Sequence, residues 1–167
     1  MDNIKSRVVV VYFILLALLS WTSLLLQDNE SKGALTVLNI ILFVTPLMSL
    51  LYTVTYLYDS HDFQVLLLSQ PIRRKQIWQS LYTGVSSSLL IAFLIGSGIP
   101  MLLYTDWTTG LILILMGCVN TLIFVSIAFL TTMLTSDKTK GTGVAILIWL
   151  LLTMIYRVNL SGIFYPF

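Results

Sequence analysis

The chain has 167 residues, 57% of them hydrophobic and 10% charged, with a formal net charge of +2. A soluble domain carries about 25% charged residues, and a chain this small has too much surface to hide such a deficit in one core, so a water-soluble globular domain is excluded. The small net charge gives no support to a nucleic-acid-binding role, and a single cysteine, Cys118, excludes an internal disulfide and stands in no metal-ligand spacing.

A helix crosses the hydrocarbon core with about 20 predominantly apolar residues. Five runs reach or approach that length: residues 8–26, 35–58, 84–104, 111–134 and 142–156. They are continuously apolar, whereas a membrane strand alternates over about 10 residues. The expected fold is therefore all-α: one integral membrane domain, a polytopic bundle of five transmembrane helices. The first run is too long for the apolar core of a signal peptide and no small-x-small cleavage site follows it, so it reads as a retained anchor. The second is broken by Pro46, whose ring frees the Leu42 carbonyl and should kink the helix. The third carries Ser86–Ser87–Ser88 and then Gly96, Gly98 and Pro100, slim faces suited to close helix packing. Polar turns separate the runs at residues 27–33, at Thr105–Asp106, which offers a cap to a helix starting near Trp107, and at residues 136–141. Trp21, Tyr56, Tyr58, Tyr104, Trp107 and Tyr156 fall near run ends, where interfacial aromatics collect.

The cations assign an orientation. Lys5, Arg7, Arg73, Arg74, Lys75, Lys138 and Lys140 fall on one side of the predicted bundle, and Lys32 and Arg157 on the other. An excess of Lys and Arg in short loops marks the cytoplasmic face. The N-terminus is thus expected in the cytoplasm and the C-terminus outside.

Ionisable residues within spans mark ion and proton pathways, and the predicted spans hold almost none. Asn39 and Asn120 are the main polar groups at depth, with hydrogen bonds between helices as their expected role. No G-x-x-x-x-G-K-[ST] phosphate loop is present, and the lone His61 has no cluster of metal ligands around it. The chain carries no catalytic, metal or cofactor motif, so any energy for work enters through a partner.

Residues 59–83 form the longest stretch between runs. Asp59 or Ser60 can cap a helix and Asp62 then sits in its positive first turn. Phe63, Leu66, Leu67 and Gln70 share one helical face, widened by Val65 and Leu68. Pro71, after Ser69–Gln70, is suited to open a second short helix, in which Ile77, Trp78, Leu81 and Tyr82 share one side. Arg73, Lys75, Gln76, Gln79 and Ser80 share the other. The expected element is a cytoplasmic helix–break–helix with leucines and cations presented together. Anionic lipid headgroups would satisfy the cations; a protein seated in the Pro-marked corner would account for both the leucines and the cations.

The stretch "YDSHDFQVLLLSQPIRRKQIWQSLYTG" resembles the cytoplasmic coupling loop of ABC-2-type transporter permeases, roughly L-L-L-[SA]-x-P-[IV]-x-R followed by an amphipathic run into a Gly. Leu66, Leu67, Leu68, Ser69, Pro71, Ile72, Arg74 and Gly84 carry the likeness. The upstream "LFVTPLMSLLYTVTYLYD" is similar as well, and "IWLLLTMIY" resembles the fifth span of the branch that serves nitrous oxide reductase maturation. The family's acidic approach to the leucines is replaced here by His61–Asp62–Phe63. The resemblance implies a non-enzymatic permease subunit of an ABC exporter in the inner membrane. It would be multi-pass, a homodimer, without cofactor, in contact with membrane lipid. An ATP-binding ABC subunit in trans would dock on Asp62, Phe63, Leu66, Leu67, Leu68, Ser69, Pro71, Arg73, Arg74 and Lys75. The branch further implies a periplasmic partner protein and the maturation of a periplasmic copper enzyme. Export of lipid, polysaccharide or drug by another branch, or a non-transporting membrane scaffold, are the alternatives. The family has six spans and an amphipathic elbow helix ahead of the first, so five runs suggest a natural short form or a fragment.

Overall fold

A computed structural model describes residues 2–25, 30–60, 74–135 and 137–164, and among them it contains helices and no strand. α1 (Asp2–Leu25) and α2 (Glu30–Asp59) are followed by α3 (Arg74–Phe93), a π-helical turn (Leu94–Gly98) and the short α4 (Ile99–Tyr104), which together form one rod. α5 (Trp107–Leu134) and α6 (Lys138–Phe164) complete the chain. Four stretches among the described residues are long and apolar enough to cross a membrane: Thr36–Asp59, Lys75–Leu103, Trp107–Leu134 and Lys138–Ile155. Val10–Ser23 in α1 is a shorter apolar helix. The expected helical membrane bundle is therefore what the chain forms, because in lipid each backbone N–H and C=O must find its partner inside its own helix.

Each helix buries a stripe that repeats at every fourth residue. In α1 it is Tyr12, Leu16 and Ser20; in α2, Val37, Ile41, Thr45, Ser49 and Thr53. Val85, Leu89 and Phe93 form it in α3, Leu113, Gly117, Thr121, Val125 and Phe129 in α5, and Gly141, Ala145 and Trp149 in α6. Residues four apart lie one above another on a helix, so each stripe is a narrow seam. The remaining surface is oil: Leu115, Met116, Leu147 and Leu151 are among the exposed side chains of α5 and α6. Lipid tails are as apolar as leucine, so association rests on close packing and hydrogen bonds more than on expulsion of water. α2 is the central helix, packed against α1, α5 and α6.

Small residues set the closest approaches. Gly117 of α5 lies under the Phe93 ring, and a Cβ added there would overlap that ring. Gly96 rests on α1, where a Cβ would meet the Phe13 carbonyl oxygen at 3.2 Å and Leu16 Cβ at 3.3 Å. Gly96 thus lies where this rod meets α1, and Gly98 and Pro100 are buried beside it. The π-helical turn was not expected. Its Ile99 N–H donates to Leu94 O, a bond over five residues instead of four. Pro100 supplies no N–H and its ring crowds the carbonyl four residues back, and a widened turn is one way for the helix to absorb that loss.

Two boundaries also differ from the sequence expectation. The second half of the stretch between the second and third runs is not a separate short helix; residues 74–83 are the first turns of α3 and continue without a break past Gly84. Likewise residues 138–141 belong to α6, and the polar loop before it is shorter than expected. Polar residues continue a helix readily once its apolar part is anchored, and nothing at Gly84 or Gly141 requires a stop.

The glycines differ sharply in what surrounds them. Gly117→Ala is expected to lower the thermal midpoint in detergent through overpacking on Phe93, a cost of about 1–3 kcal/mol. Gly84→Ala, with nothing within 4 Å of its Cβ position, is expected to leave the midpoint unchanged or raise it slightly. Equal effects of the two substitutions would contradict the packing described here.

Candidate functional site

The cations predicted to gather on one face fall, where described, at one end of the bundle. α3 runs antiparallel to α5, since Trp78 and Tyr82 stack edge-on against Phe129 with ring centroids 5.9 and 5.5 Å apart. Tyr82 also shares a hydrogen bond with Ser126 at 3.1 Å. Ile77 is buried beneath this aromatic patch, while Lys75, Gln76, Gln79 and Ser80 are exposed on the opposite side. The two faces read from the sequence are therefore the two faces of the first turns of α3. The stretch Lys75–Leu103 has 29 residues, about 44 Å at 1.5 Å per residue. That exceeds a hydrocarbon core of about 30 Å by roughly nine residues' rise, so turns bearing Lys75, Gln76, Gln79 and Ser80 can stand beyond the hydrocarbon.

At the same end α2 is fastened to the corner between α5 and α6. Lys138 Nζ lies 2.6 Å from Asp59 Oδ1, the pair being partly exposed. The Tyr58 hydroxyl donates to the Thr135 carbonyl at 2.9 Å and sits 2.6 Å from the Thr135 hydroxyl oxygen. That threonine hydroxyl donates its own proton to Thr131 O at 2.7 Å, so the single Tyr58 proton is shared between the carbonyl and hydroxyl oxygens of Thr135. Thr135 is the last residue of the α5 terminus, whose carbonyls lack helical donors, and Tyr58 supplies one. Gly141 makes room for the ring: a Cβ there would overlap the Tyr58 hydroxyl and approach the ring at 2.7 Å and the Thr135 hydroxyl at 2.8 Å. Lys140 pairs with Asp137 at 2.8 Å. Ser60, which the sequence offered as a cap for a following helix, turns its hydroxyl back to Leu57 O at 3.3 Å and to Tyr56 O.

A second set of contacts surrounds Pro46, which is buried inside a helix that continues through it. The proline has no N–H for the Leu42 carbonyl. Asn120 Nδ2 of α5 donates to Ile41 O at 3.3 Å, and Trp149 Nε1 of α6 donates to Phe43 O at 3.3 Å. Trp149 also packs edge-on against Phe43, centroids 4.8 Å apart. Asn120 thus has the helix-tying role expected of it, whereas Asn39 lies on an exposed face of α2. Thr45, Ser49 and Thr53 of α2 are fully buried, as is Ser20 of α1.

Of the coupling-loop residues predicted from sequence, Asp62, Phe63, Leu66, Leu67, Leu68, Ser69, Pro71 and Arg73 lie outside the described residues. Arg74 opens α3, and Lys75 is exposed beside it. Sequence reasoning missed Tyr58, Thr135 and Gly141 as a set, because residues so far apart in sequence show no shared pattern. Gly141 gave no signal, because in the sequence it stands at the end of a polar turn. No group of metal-ligating side chains occurs among the described residues.

Gly141→Ala is expected to displace Tyr58 and cost about 1–3 kcal/mol in a thermal melt. In a Tyr58→Phe background the same change should cost measurably less, because the nearest atom is gone; strict additivity of the two would contradict the contact. Lys138→Ala, which removes a partly exposed ion pair, should cost no more than about 1 kcal/mol.

Comparison with curated proteins gives no match. Comparison with protein families matches residues 2–165, nearly the whole chain, to the family described as ABC-2 family transporter protein. That match covers all the described helices, and it agrees with a helical membrane bundle with several apolar spans. The chain belongs to the ABC-2 transporter family of membrane proteins.

Proposed function

We propose that the chain is the permease subunit of an ABC exporter, in which a separate ATP-binding chain docks at the basic end of the bundle and drives it. The observation that carries this reading is the presentation of that end. The first turns of α3 are held by Trp78 and Tyr82 against Phe129 and expose Lys75, Gln76, Gln79 and Ser80. They directly follow the leucine–proline–arginine segment that resembles a coupling loop. The absence of a phosphate-binding loop from the sequence fits a subunit that leaves nucleotide hydrolysis to its partner. Two copies of the chain would form the pathway in the cytoplasmic membrane, with the basic end in the cytoplasm. The likeness of residues 148–156 and of the loop to the nitrous oxide reductase maturation branch supports, within this reading, service to a periplasmic copper enzyme and a periplasmic partner.

The reading is tested by co-expressing the tagged chain with the ATP-binding protein encoded beside it. Co-purification is expected. Replacing Arg73, Arg74 and Lys75 together with glutamate, or Leu66 and Leu67 with glutamine, is expected to weaken the complex at least tenfold, about 1.4 kcal/mol. Undiminished binding by both variants would remove the docking assignment. Loss of nitrous oxide reductase activity on deletion of the gene, restored by copper supplementation or by the gene itself, would support the cargo branch; unchanged activity would exclude it.

A further inference from the structure

We infer that, independently of the permease reading, a water molecule is bound at the Pro46 break of α2, held by the Tyr12 and Thr45 hydroxyls and the Leu42 carbonyl. Pro46 deprives the Leu42 carbonyl of its helical donor, and Asn120 and Trp149 reach Ile41 O and Phe43 O on either side of it. In lipid no bulk water takes the donor's place. Thr45 stands three residues after Leu42, and a helical side chain covers the turn N-terminal to its own Cα. The Thr45 side chain therefore lies over the turn that carries the freed carbonyl.

Buried hydroxyls elsewhere in the bundle show what Thr45 lacks. Thr121 donates to Gly117 O at 2.8 Å, Ser97 to Phe93 O at 3.1 Å and Ser49 to Thr45 O at 2.7 Å, each to the carbonyl four residues back in its own rod. For Thr45 that carbonyl is Ile41 O, which Asn120 already engages. Thr45 is fully buried, and its hydroxyl has no hydrogen-bond partner among the described residues. Tyr12 of α1, 2% exposed, turns its hydroxyl toward Thr45 and Ser49 without completing a hydrogen bond to either. Ser20, Thr53 and Ser86 are buried without partners as well, but none of them stands three or four residues after a carbonyl that a proline has freed. Buried polar groups are rarely left bare, because each then keeps the full cost of leaving water. A buried water makes about three hydrogen bonds to such groups. Here it accepts from Tyr12 and Thr45 and donates to Leu42 O. The Ser49 oxygen, whose own proton goes to Thr45 O, is there to take the second water proton. Such a water follows the carbonyl as α2 bends, which a side chain fixed on a neighbouring helix cannot do.

The test is radiolytic footprinting of the full chain in lipid nanodiscs. A brief X-ray pulse makes hydroxyl radicals from every water, bound ones included, and mass spectrometry locates the oxidised side chains. Phe93 and Met101, both fully buried, report the background of a dry interior. Corrected for intrinsic reactivity, Tyr12 is expected to be oxidised severalfold faster than either. Thr45→Val, which removes one of the water's partners, is expected to slow that oxidation. Labelling of Tyr12 at the level of Phe93 and Met101, or labelling that Thr45→Val leaves unchanged, overturns the assignment. In thermal melts Tyr12→Phe and Thr45→Val should each lower the midpoint, and together should cost less than the sum. A midpoint unchanged or raised by either substitution marks a hydroxyl that was dry and unpaired, and overturns the bound water. Coupled losses with Tyr12 unlabelled mark a direct Tyr12–Thr45 bond, and overturn it equally.

Discussion

The constraint on which the bundle depends is the missing amide hydrogen of Pro46 at the centre of its central helix. A helix in lipid has no bulk water to repair a lost backbone bond; the Leu42 carbonyl loses its helical donor, and neighbouring helices tie the carbonyls on either side of it. α5 brings Asn120 to Ile41 O and α6 brings Trp149 to Phe43 O. Those two contacts fix the height of α5 and α6 along α2. Once the heights are set, the four-residue seams of small and apolar side chains fall opposite one another, with Gly117 under Phe93 and Gly141 under Tyr58. The ion pair and tyrosine bond at the basic end follow from that register.

The same logic recurs at Pro100, with a different solution. There the chain widens into a π-helical turn and rests Gly96 on the backbone of α1. Beside one proline, side chains from neighbouring helices bond the flanking carbonyls; at the other, the helical period changes locally and a glycine rests on α1. Both lie inside rods that would otherwise be uniform, and both leave the backbone with more freedom than an unbroken helix has. A permease needs such places, because its two ends must move without separating its helices.

Much of this was legible in the sequence for a simple reason: a transmembrane span is set by the length and apolarity of a local run, and both can be read residue by residue. The four stretches that qualify as spans overlap predicted runs, and Asn120 ties two helices as its residue type suggests. The faces of residues 75–82 were also legible, since Ile77, Trp78, Leu81 and Tyr82 recur at helical spacing. What could not be read was where a polar stretch stops being a loop. Residues 74–83 and 138–141 are polar enough to leave the membrane yet helical because the apolar part of the same helix anchors them. The Tyr58–Thr135–Gly141 corner was illegible because it joins positions about 77 residues apart, and no local pattern encodes such a meeting. The π-helical turn depends on how one helix resolves a proline, which neighbouring packing decides.

The central claim is that the end bearing Lys75, Lys138 and Lys140 is the one that meets the ATP-binding partner. It is tested most directly by a photo-crosslinking amino acid placed at exposed Gln76, at the start of α3, or at exposed Trp107, beyond the far end of the same rod. The account predicts a crosslink to the ATP-binding chain from position 76 and none from position 107. A crosslink from position 107 alone would place the partner at the opposite end and contradict the account.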